Sequence, residues 1–436
     1  MRPIGVDLFA GAGGLSLGFE QAGFDVVAAV EIDPVHCAVH EYNFPHCATI
    51  CKSVMEVTGK EIKDKLNIEK RQIDVIFGGP PCQGFSLMGK RLLDDPRNTL
   101  VSHFIRLVDE LQPKYFVMEN VKGMAIGNHK QFLSEAIDKF DYYGYKVLQP
   151  YQVLNAACYG VPQNRERLFL IGVQKELPFP EYPKPIYKPA GSVKKIDKKY
   201  EKLPDSPTVL DALKDLPNAD RYSKLNQQDC VKVKEEEFKT PSDYVRDLHR
   251  VGEGNYSYPR KYDPHLLTSS LRTQHTKESI RRFENTLPGE TEPISRFLKL
   301  NPNGICNTLR AGTPSSRGAY TSPRPIHYKF DRCITVREAA RLHSYPDWFR
   351  FHVTKWHGCR QIGNSVPPLL GRAVATEIIK VLEMNPTIPE EILQLGETKL
   401  LSMTMAEAAK RYGVPADTIP QRSRKSQSKV DDIKSA

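Results

Sequence analysis

One thiol in this chain sits where covalent chemistry could be done. Cys82 lies in Pro80-Pro81-Cys82-Gln83-Gly84-Phe85-Ser86, directly after the apolar run Val75-Ile76-Phe77 and the pair Gly78-Gly79. A β-branched run that stops at Gly-Gly-Pro-Pro reads as a buried strand ending in a stiff loop. In open α/β sheets the chemistry gathers at the carboxyl ends of the strands, so a cysteine there suits a positioned nucleophile. Only the thiolate attacks, which requires a lowered pKa or a nearby base. The alternative is a small buried hydrophobe, a common fate of free cysteine. Glu119 ends a second strand-like run, Tyr115-Phe116-Val117-Met118, and can face the same crevice. Its plainer reading is a carboxylate that caps a turn with Asn120. Arg165 and Arg167 alternate along an extended segment, which turns both toward one face. Two solvated arginines at a strand start would look the same.

These groups need a scaffold, and the chain is long enough to supply one. Its 436 residues can hold two or three domains with a sizeable core. The formal charge of +10 points to an acidic partner, nucleic acid before membrane. No run of about eighteen apolar residues is present, so no transmembrane helix is expected. Arg2 to Asp7 enters a strand at once without a signal-peptide stretch, and a cytoplasmic, nucleoid-associated protein is expected. Nine cysteines, an odd number without a CxxC pair, suit a reducing compartment. His36, Cys37, His40, His46, Cys47 and Cys51 cluster in sequence, but their spacing does not form two ligand couples, and no metal is expected.

The first part of the chain alternates strand and helix patterns. Strands are predicted over 4–9, 25–30, 73–77, 115–118 and 168–173, and helices over 15–22, 36–42 and 99–111. That alternation defines an α/β class with a largely parallel sheet covered on both faces. Near Leu177 the texture changes to Pro, Lys, Arg, Ser, Thr and Asn, beginning with Pro178, Pro180, Pro183, Pro185 and Pro189. Regular patterning resumes at Ile334–Leu342, and a long helix is predicted from Leu369 to about Met384. The organisation is one interrupted domain, 1–178 and 331–385, around an inserted smaller domain, 179–330, followed by a tail, 386–436. Within the tail, 405–412 and 417–419 could form two short helices about a turn, a possible helix-turn-helix.

Phe9-Ala10-Gly11-Ala12-Gly13-Gly14 follows the first strand and opens the first helix. Glycines there allow a tight turn and a close approach of backbone to ligand at a helix N-terminus. Glu31, at the end of the second strand, is placed to accept hydrogen bonds from ribose hydroxyls. NAD, FAD and S-adenosylmethionine all remain compatible, although the spacing is not the GxGxxG of the dinucleotide fingerprint.

Eight stretches, in order, resemble the motifs of the DNA (cytosine-5)-methyltransferases. They are Asp7–Gly14, Glu31–Asp33, Gly79–Ser86, Asp95–Leu100, Glu119–Val121, Gln163–Arg167, Arg337–Leu342 and Gln361–Pro367. The resemblance covers about 1–178 and 331–384. It implies a Rossmann-like S-adenosylmethionine-dependent methyltransferase sheet with a smaller inserted target-recognition domain. Where the family often has an aspartate that contacts the adenine amine, this chain has Ser53, whose oxygen can still accept a hydrogen bond.

By this resemblance Cys82 is the thiolate that adds to C6 of cytosine, and Glu119 bonds N3 and the exocyclic amine. Arg165 reaches the base carbonyl, with Arg167 beside it. The cofactor is held by Phe9, Gly11, Gly13, Gly14, Leu15, Glu31, Ile32, Ser53, Pro80, Leu100, Asn364, Ser365 and Val366. The substrate is double-stranded DNA, from which the target base is rotated out of the stack at a cost of roughly a few kcal/mol. In the insertion, Thr308-Leu309-Arg310 and Ser315-Ser316-Arg317 supply small residues and arginines that suit base contacts, with Thr308, Arg310 and Arg317 as DNA-binding candidates. A monomeric modification enzyme of a restriction-modification system, paired with a separate endonuclease, is the implied setting. A tRNA cytosine-5 methyltransferase and a catalytically silent DNA-binding regulator are the competing readings.

Overall fold

The computed structural model describes residues 2–66, 71–81, 99–125, 129–191, 200–252, 254–312 and 324–419. Cys82 and Arg317 lie outside the described residues.

Its centre is an eight-stranded sheet. β1 (Ile4–Leu8), β2 (Asp25–Glu31), β3 (Ala48–Cys51), β4 (Val75–Gly78) and β5 (Tyr115–Val121) are parallel in the order β3-β2-β1-β4-β5. β6 (Tyr145–Val147), β7 (Gln152–Asn155) and β8 (Glu166–Gln174) complete it. β8 lies antiparallel to β5, and β6 and β7 pair antiparallel along successive parts of β8. The predicted parallel character thus holds for five strands and reverses at β8. An apolar run such as Leu168–Val173 has the same pattern in either direction, so its sequence carries no sign of the reversal.

The central strands are largely apolar because both faces are covered. Val75, Phe77 and Val117 point into one core, and Ile76, Phe116 and Met118 into the other. α1 (Gly14–Ala22) and α2 (Pro34–Asn43) cover the first face, and α3 (Gly59–Lys65), α4 (Thr99–Leu111) and α5 (His129–Tyr142) the second. Asp33 stops the chain after β2 and starts α2, accepting from the N–H groups of Val35 and His36 with Pro34 at the first helical position.

The insertion contains α6 (Val209–Leu213), α7 (Asp243–His249) and α8 (Lys277–Asn285). α6 and α7 do not form a core of their own: Val209, Ala212, Leu213, Tyr244, Val245 and Leu248 join the first core of the sheet domain. Two small satellites stand apart, one around Ala219, Leu225, Val233 and Leu267, the other around Phe283, Ile326 and Cys333. The chain returns through α9 (Val336–Leu342), α10 (Lys355–Asn364) and α11 (Pro368–Val381).

Among its described residues the tail forms one α-helix, α12 (Met405–Tyr412), started by a Thr404–Glu407 capping box and stopped by Gly413 in the left-handed region. The second helix expected over 417–419 is not formed; the segment is a turn in which the Thr418 N–H bonds the Pro415 carbonyl. Pro415 and Pro420 leave too short a stretch between them for an i→i−4 ladder. α12 packs on α2, where the Tyr412 hydroxyl donates to Glu41 at 2.6 Å and Arg411 pairs with the same carboxylate. Among the described residues no helix is long and apolar enough to cross a membrane.

Candidate active site

The strand order fixes where a ligand can sit. Strand order runs outward in opposite senses from β1 and β4, and it is at the carboxyl ends of the strands at such a switch point that open α/β sheets bind ligands. The loop after β1 is bent by backbone in the left-handed region at Phe9 (φ 65°), Gly11 (φ 56°) and Gly13 (φ 98°). Phe9 is the residue here without glycine's freedom, and such strain gathers at functional sites. A Cβ on Gly14 would stand 2.4 Å from the Val366 carbonyl, so the first helix turn rests directly on the loop after α10. At the end of β2, Glu31 accepts from the Gly11 N–H at 2.8 Å and from the Asp33 N–H at 2.9 Å. Ile32 beside it is 40% exposed, and Asn364 is exposed at the end of α10. Ser53 follows β3, where its hydroxyl accepts from the Met55 N–H at 3.2 Å. Leu100 lies half-buried in the first turn of α4.

Beneath the glycine turn runs a buried polar chain that spacing alone does not reveal. The Ser16 hydroxyl donates to Asp7 at 2.6 Å and lies 3.0 Å from His40 Nε2, so β1, α1 and α2 are joined side by side. Burial raises Asp7 to about 8 and lowers His40 to about 3. The unfolded Asp7 carboxyl ionises near its ordinary 3.8, whereas the folded one keeps its proton to about 8. Folding therefore binds a proton across that window, and the contribution of Asp7 to stability falls as pH rises through it. Thermal melts should show wild type losing more stability than Asp7→Asn between about pH 5 and about pH 8. A wild-type loss no larger than that of the variant would refute this assignment.

At the end of β5, Glu119 is 9% exposed, and its carboxylate takes the Arg167 Nε at 2.8 Å. Burial pushes Glu119 up, opposed first by Arg167 and then by Arg165. β5 and β8 pair Val121 with Arg167 and Glu119 with Phe169, which puts Glu119 and Arg167 on one side of the sheet. Asn120 donates from Nδ2 to the Pro80 carbonyl at 2.9 Å, anchoring the loop after β4 one residue from Glu119. Asn120, read in the sequence only as the neighbour of Glu119, is thus the tie between β5 and the cysteine loop.

Arg165, the residue expected at the base carbonyl, lies apart from this pair. It is 0% exposed, and its guanidinium donates to the carbonyls of Leu309 (2.9 Å), Gly363 (2.8 Å) and Ser365 (2.8 Å). Two-residue alternation holds only inside a regular strand, and β8 begins at Glu166. Arg165 lies before it and turns into the junction with the insertion, so Arg167 alone faces Glu119. Gln163, which opens the stretch Gln163–Arg167, and His343, which no motif singles out, are buried in the same junction.

On the insertion, Thr308 donates from its hydroxyl to the Asn164 carbonyl at 2.7 Å, and Arg310 is exposed just beyond it. Arg296, Arg310 and Arg324 line one cleft of about 210 Å³ with Phe297, Leu298, Leu309 and Pro325. Among the described residues Nε and Nη1 of Arg324 are buried without a hydrogen-bond partner. Elsewhere in the insertion Arg272 and Arg282 each pair with a carboxylate, and Arg332 just after it pairs with Asp220.

A Rossmann-like sheet with a glycine turn after β1 and a carboxylate–arginine pair near the carboxyl end of β5 has the layout of an α/β enzyme, and comparison with known proteins gives the class. Residues 5–380 match the family described as C-5 cytosine-specific DNA methylase. The chain is 57% identical over 425 residues to the Type II methyltransferase M.XorII of Xanthomonas oryzae pv. oryzae, covering 97% of this chain and 95% of that protein. It is 31% identical to the Type II methyltransferase M.AgeI of Thalassovita gelatinovora, over 86% of this chain and 99% of the other. A crystal structure of a putative DNA modification methyltransferase encoded within an E. coli prophage superposes with a TM-score of 0.68 at 35% identity, covering 88% of this chain and 100% of that one. The chain belongs to the C-5 cytosine-specific DNA methylases. It is a DNA cytosine-5 methyltransferase of the Type II restriction-modification kind, and its family and fold imply S-adenosylmethionine as methyl donor.

Proposed function

We propose that the crevice between β1 and β4 binds S-adenosylmethionine and a flipped cytosine side by side, and that Glu119 and Arg167 activate the base for attack by Cys82. The observation that carries this reading is the buried Glu119–Arg167 pair, one residue from the bond that anchors Pro80. The residues present fit the methyl donor. The turn Phe9–Gly14 with Leu15 offers backbone N–H groups at a helix N-terminus, Glu31 offers acceptors for ribose hydroxyls, and Ile32 offers an exposed apolar face for the adenine. Ser53, Pro80, Leu100, Asn364, Ser365 and Val366 complete the walls. Bound there, S-adenosylmethionine supplies an electrophilic methyl group.

The remaining chemistry belongs to the protein. Cys82, two residues past the anchored Pro80, adds as thiolate to C6 of the ring. Glu119 shares a proton with N3 and takes up the charge that develops there, and Arg167 holds the carboxylate and faces the base carbonyl. C5 then carries the electron pair that accepts the methyl group. Loss of the C5 proton and expulsion of Cys82 restore the aromatic ring. Base-resolution mapping of 5-methylcytosine in DNA from cells expressing the chain tests the activity; methylation of adenine, or of tRNA alone, would overturn it. A duplex with 5-fluorocytosine at the mapped site should trap a covalent adduct with wild type and none with Cys82→Ala.

DNA is held by Thr308, Arg310 and Arg317, and by Arg296 and Arg324; among the described residues the cleft arginines Arg296, Arg310 and Arg324 have no carboxylate partner. The protein acts as a monomer, and a separate endonuclease shares its recognition sequence. Arg310→Ala and Arg324→Ala are each expected to weaken duplex binding by about tenfold, one base contact or a little less. Anisotropy titrations over a salt series check this. A loss equal on target and scrambled duplexes, with the salt slope reduced by about one, assigns a phosphate contact. A loss confined to the target assigns base reading. Unchanged affinity for both variants would remove the cleft from the DNA surface.

A further inference from the structure

Three distant stretches of chain meet at one buried junction, which joins the recognition segment to the cofactor loop. The stretch 162–165 pairs along 306–309: the Cys306 N–H donates to the Pro162 carbonyl at 2.9 Å, and the Asn164 N–H to the Cys306 carbonyl at 2.8 Å. Gln163 accepts from the Leu309 N–H at 3.1 Å and donates from Nε2 to the Leu342 carbonyl at 3.2 Å, with His343 Nδ1 2.9 Å away. His343 Nε2 in turn lies 3.1 Å from the Ser365 carbonyl. Arg165 closes the ring: one arm of its fork holds Leu309, the other holds Gly363 and Ser365. A Cβ on Gly363 would stand 2.3 Å from the Ala311 nitrogen, so the recognition segment lies flat on α10 with no layer between them.

Each side of this junction leads to a different ligand. Leu309 sits between Thr308 and Arg310, the proposed DNA contacts. Ser365 precedes Val366, whose carbonyl abuts Gly14 in the proposed cofactor turn. A buried guanidinium that loses a carbonyl on either side is left with an unsatisfied charge, which is strongly unfavourable. The two loops therefore hold their positions together or lose them together.

We propose that Arg165 is a positioning residue that couples duplex binding to cofactor binding, each ligand tightening the site for the other. The inference rests on the reading of the two sites given above. Coupling is reciprocal by linkage, and a factor of roughly 5–150 is the usual range. The test is calorimetric titration of the full chain with S-adenosylhomocysteine, with and without a duplex carrying the mapped methylation site. Wild type is expected to bind S-adenosylhomocysteine at least about fivefold more tightly with the duplex present, and Arg165→Lys, which keeps the charge and loses the fork, by less than about twofold. Equal affinities with and without duplex in wild type, or undiminished coupling in Arg165→Lys, would overturn the proposal. Should Arg165→Lys fail to fold, amide exchange of wild type decides: S-adenosylhomocysteine alone should slow exchange at Leu309, and an unchanged rate sinks the idea. Methylation by wild type is scored separately, so failed coupling in an active enzyme refutes this inference and leaves the activity standing.

Discussion

Glu119→Gln is expected to lower the methylation rate by roughly 10²–10⁴-fold, the usual contribution of a positioned acid or base. Glutamine keeps the size of the side chain and can still accept from Arg167, so the 2.8 Å contact and the local fold should survive. What it loses is the capacity to share a proton with the ring at N3. The pair is suited to that task because burial pushes the Glu119 carboxyl up while Arg167 pulls it down. A carboxyl raised in this way keeps its proton to higher pH than an ordinary one, so the fraction of enzyme holding it falls as pH rises. Single-turnover transfer of a labelled methyl group to DNA measures the loss, and its pH dependence should flatten in the variant. A rate within about threefold of wild type, with the melting temperature unchanged, would remove Glu119 from the chemistry.

Gly78→Ala should have the largest effect on the fold. Gly78 pairs with Leu8 across the two strands that flank the switch point, and a Cβ there would stand 1.9 Å from the Leu8 carbonyl oxygen. That neighbour is backbone in the middle of the sheet, so it cannot swing aside. Overpacking typically costs about 1–3 kcal/mol, and a clash with central backbone should reach or exceed the upper end. Against a total stability of about 5–15 kcal/mol, the variant should unfold at markedly lower denaturant or accumulate insoluble. Gly123→Ala is the control, because a Cβ there meets nothing within 4 Å. Denaturation midpoints that agree between the two variants would contradict the argument.

Much of this site is legible in the residues themselves. The run into Gly78-Gly79-Pro80, the glycine turn after β1 and the acidic end of β2 each announce a backbone requirement, and the strands predicted at 115–118 and 168–173 lie within β5 and β8. Cys82 was the clearest signal in the chain, although it falls outside the described residues. What the sequence hid follows from tertiary context. The period-two rule treats Arg165 and Arg167 alike, yet one lies outside the strand and the other within it. Asp7, Ser16 and His40 are single polar residues on three elements, and only packing brings them together. Gln163 and His343 are 180 residues apart, and nothing local marks either as a partner of the other.

The division of the insertion between cores bears on how such enzymes could trade specificity. Exchanging 179–330 wholesale with a relative would strip α6 and α7 out of the sheet domain's own core. It would also remove Asp215 from the buried Arg341 and the Tyr244 hydroxyl from the Arg341 carbonyl. A smaller graft around α8 and the turn after it, whose Phe283 packs in a satellite with Ile326 and Cys333, disturbs none of these. The unit that can be exchanged without opening the sheet domain's core is therefore much smaller than the insertion, and a graft of that size should fold where an exchange of the whole insertion does not.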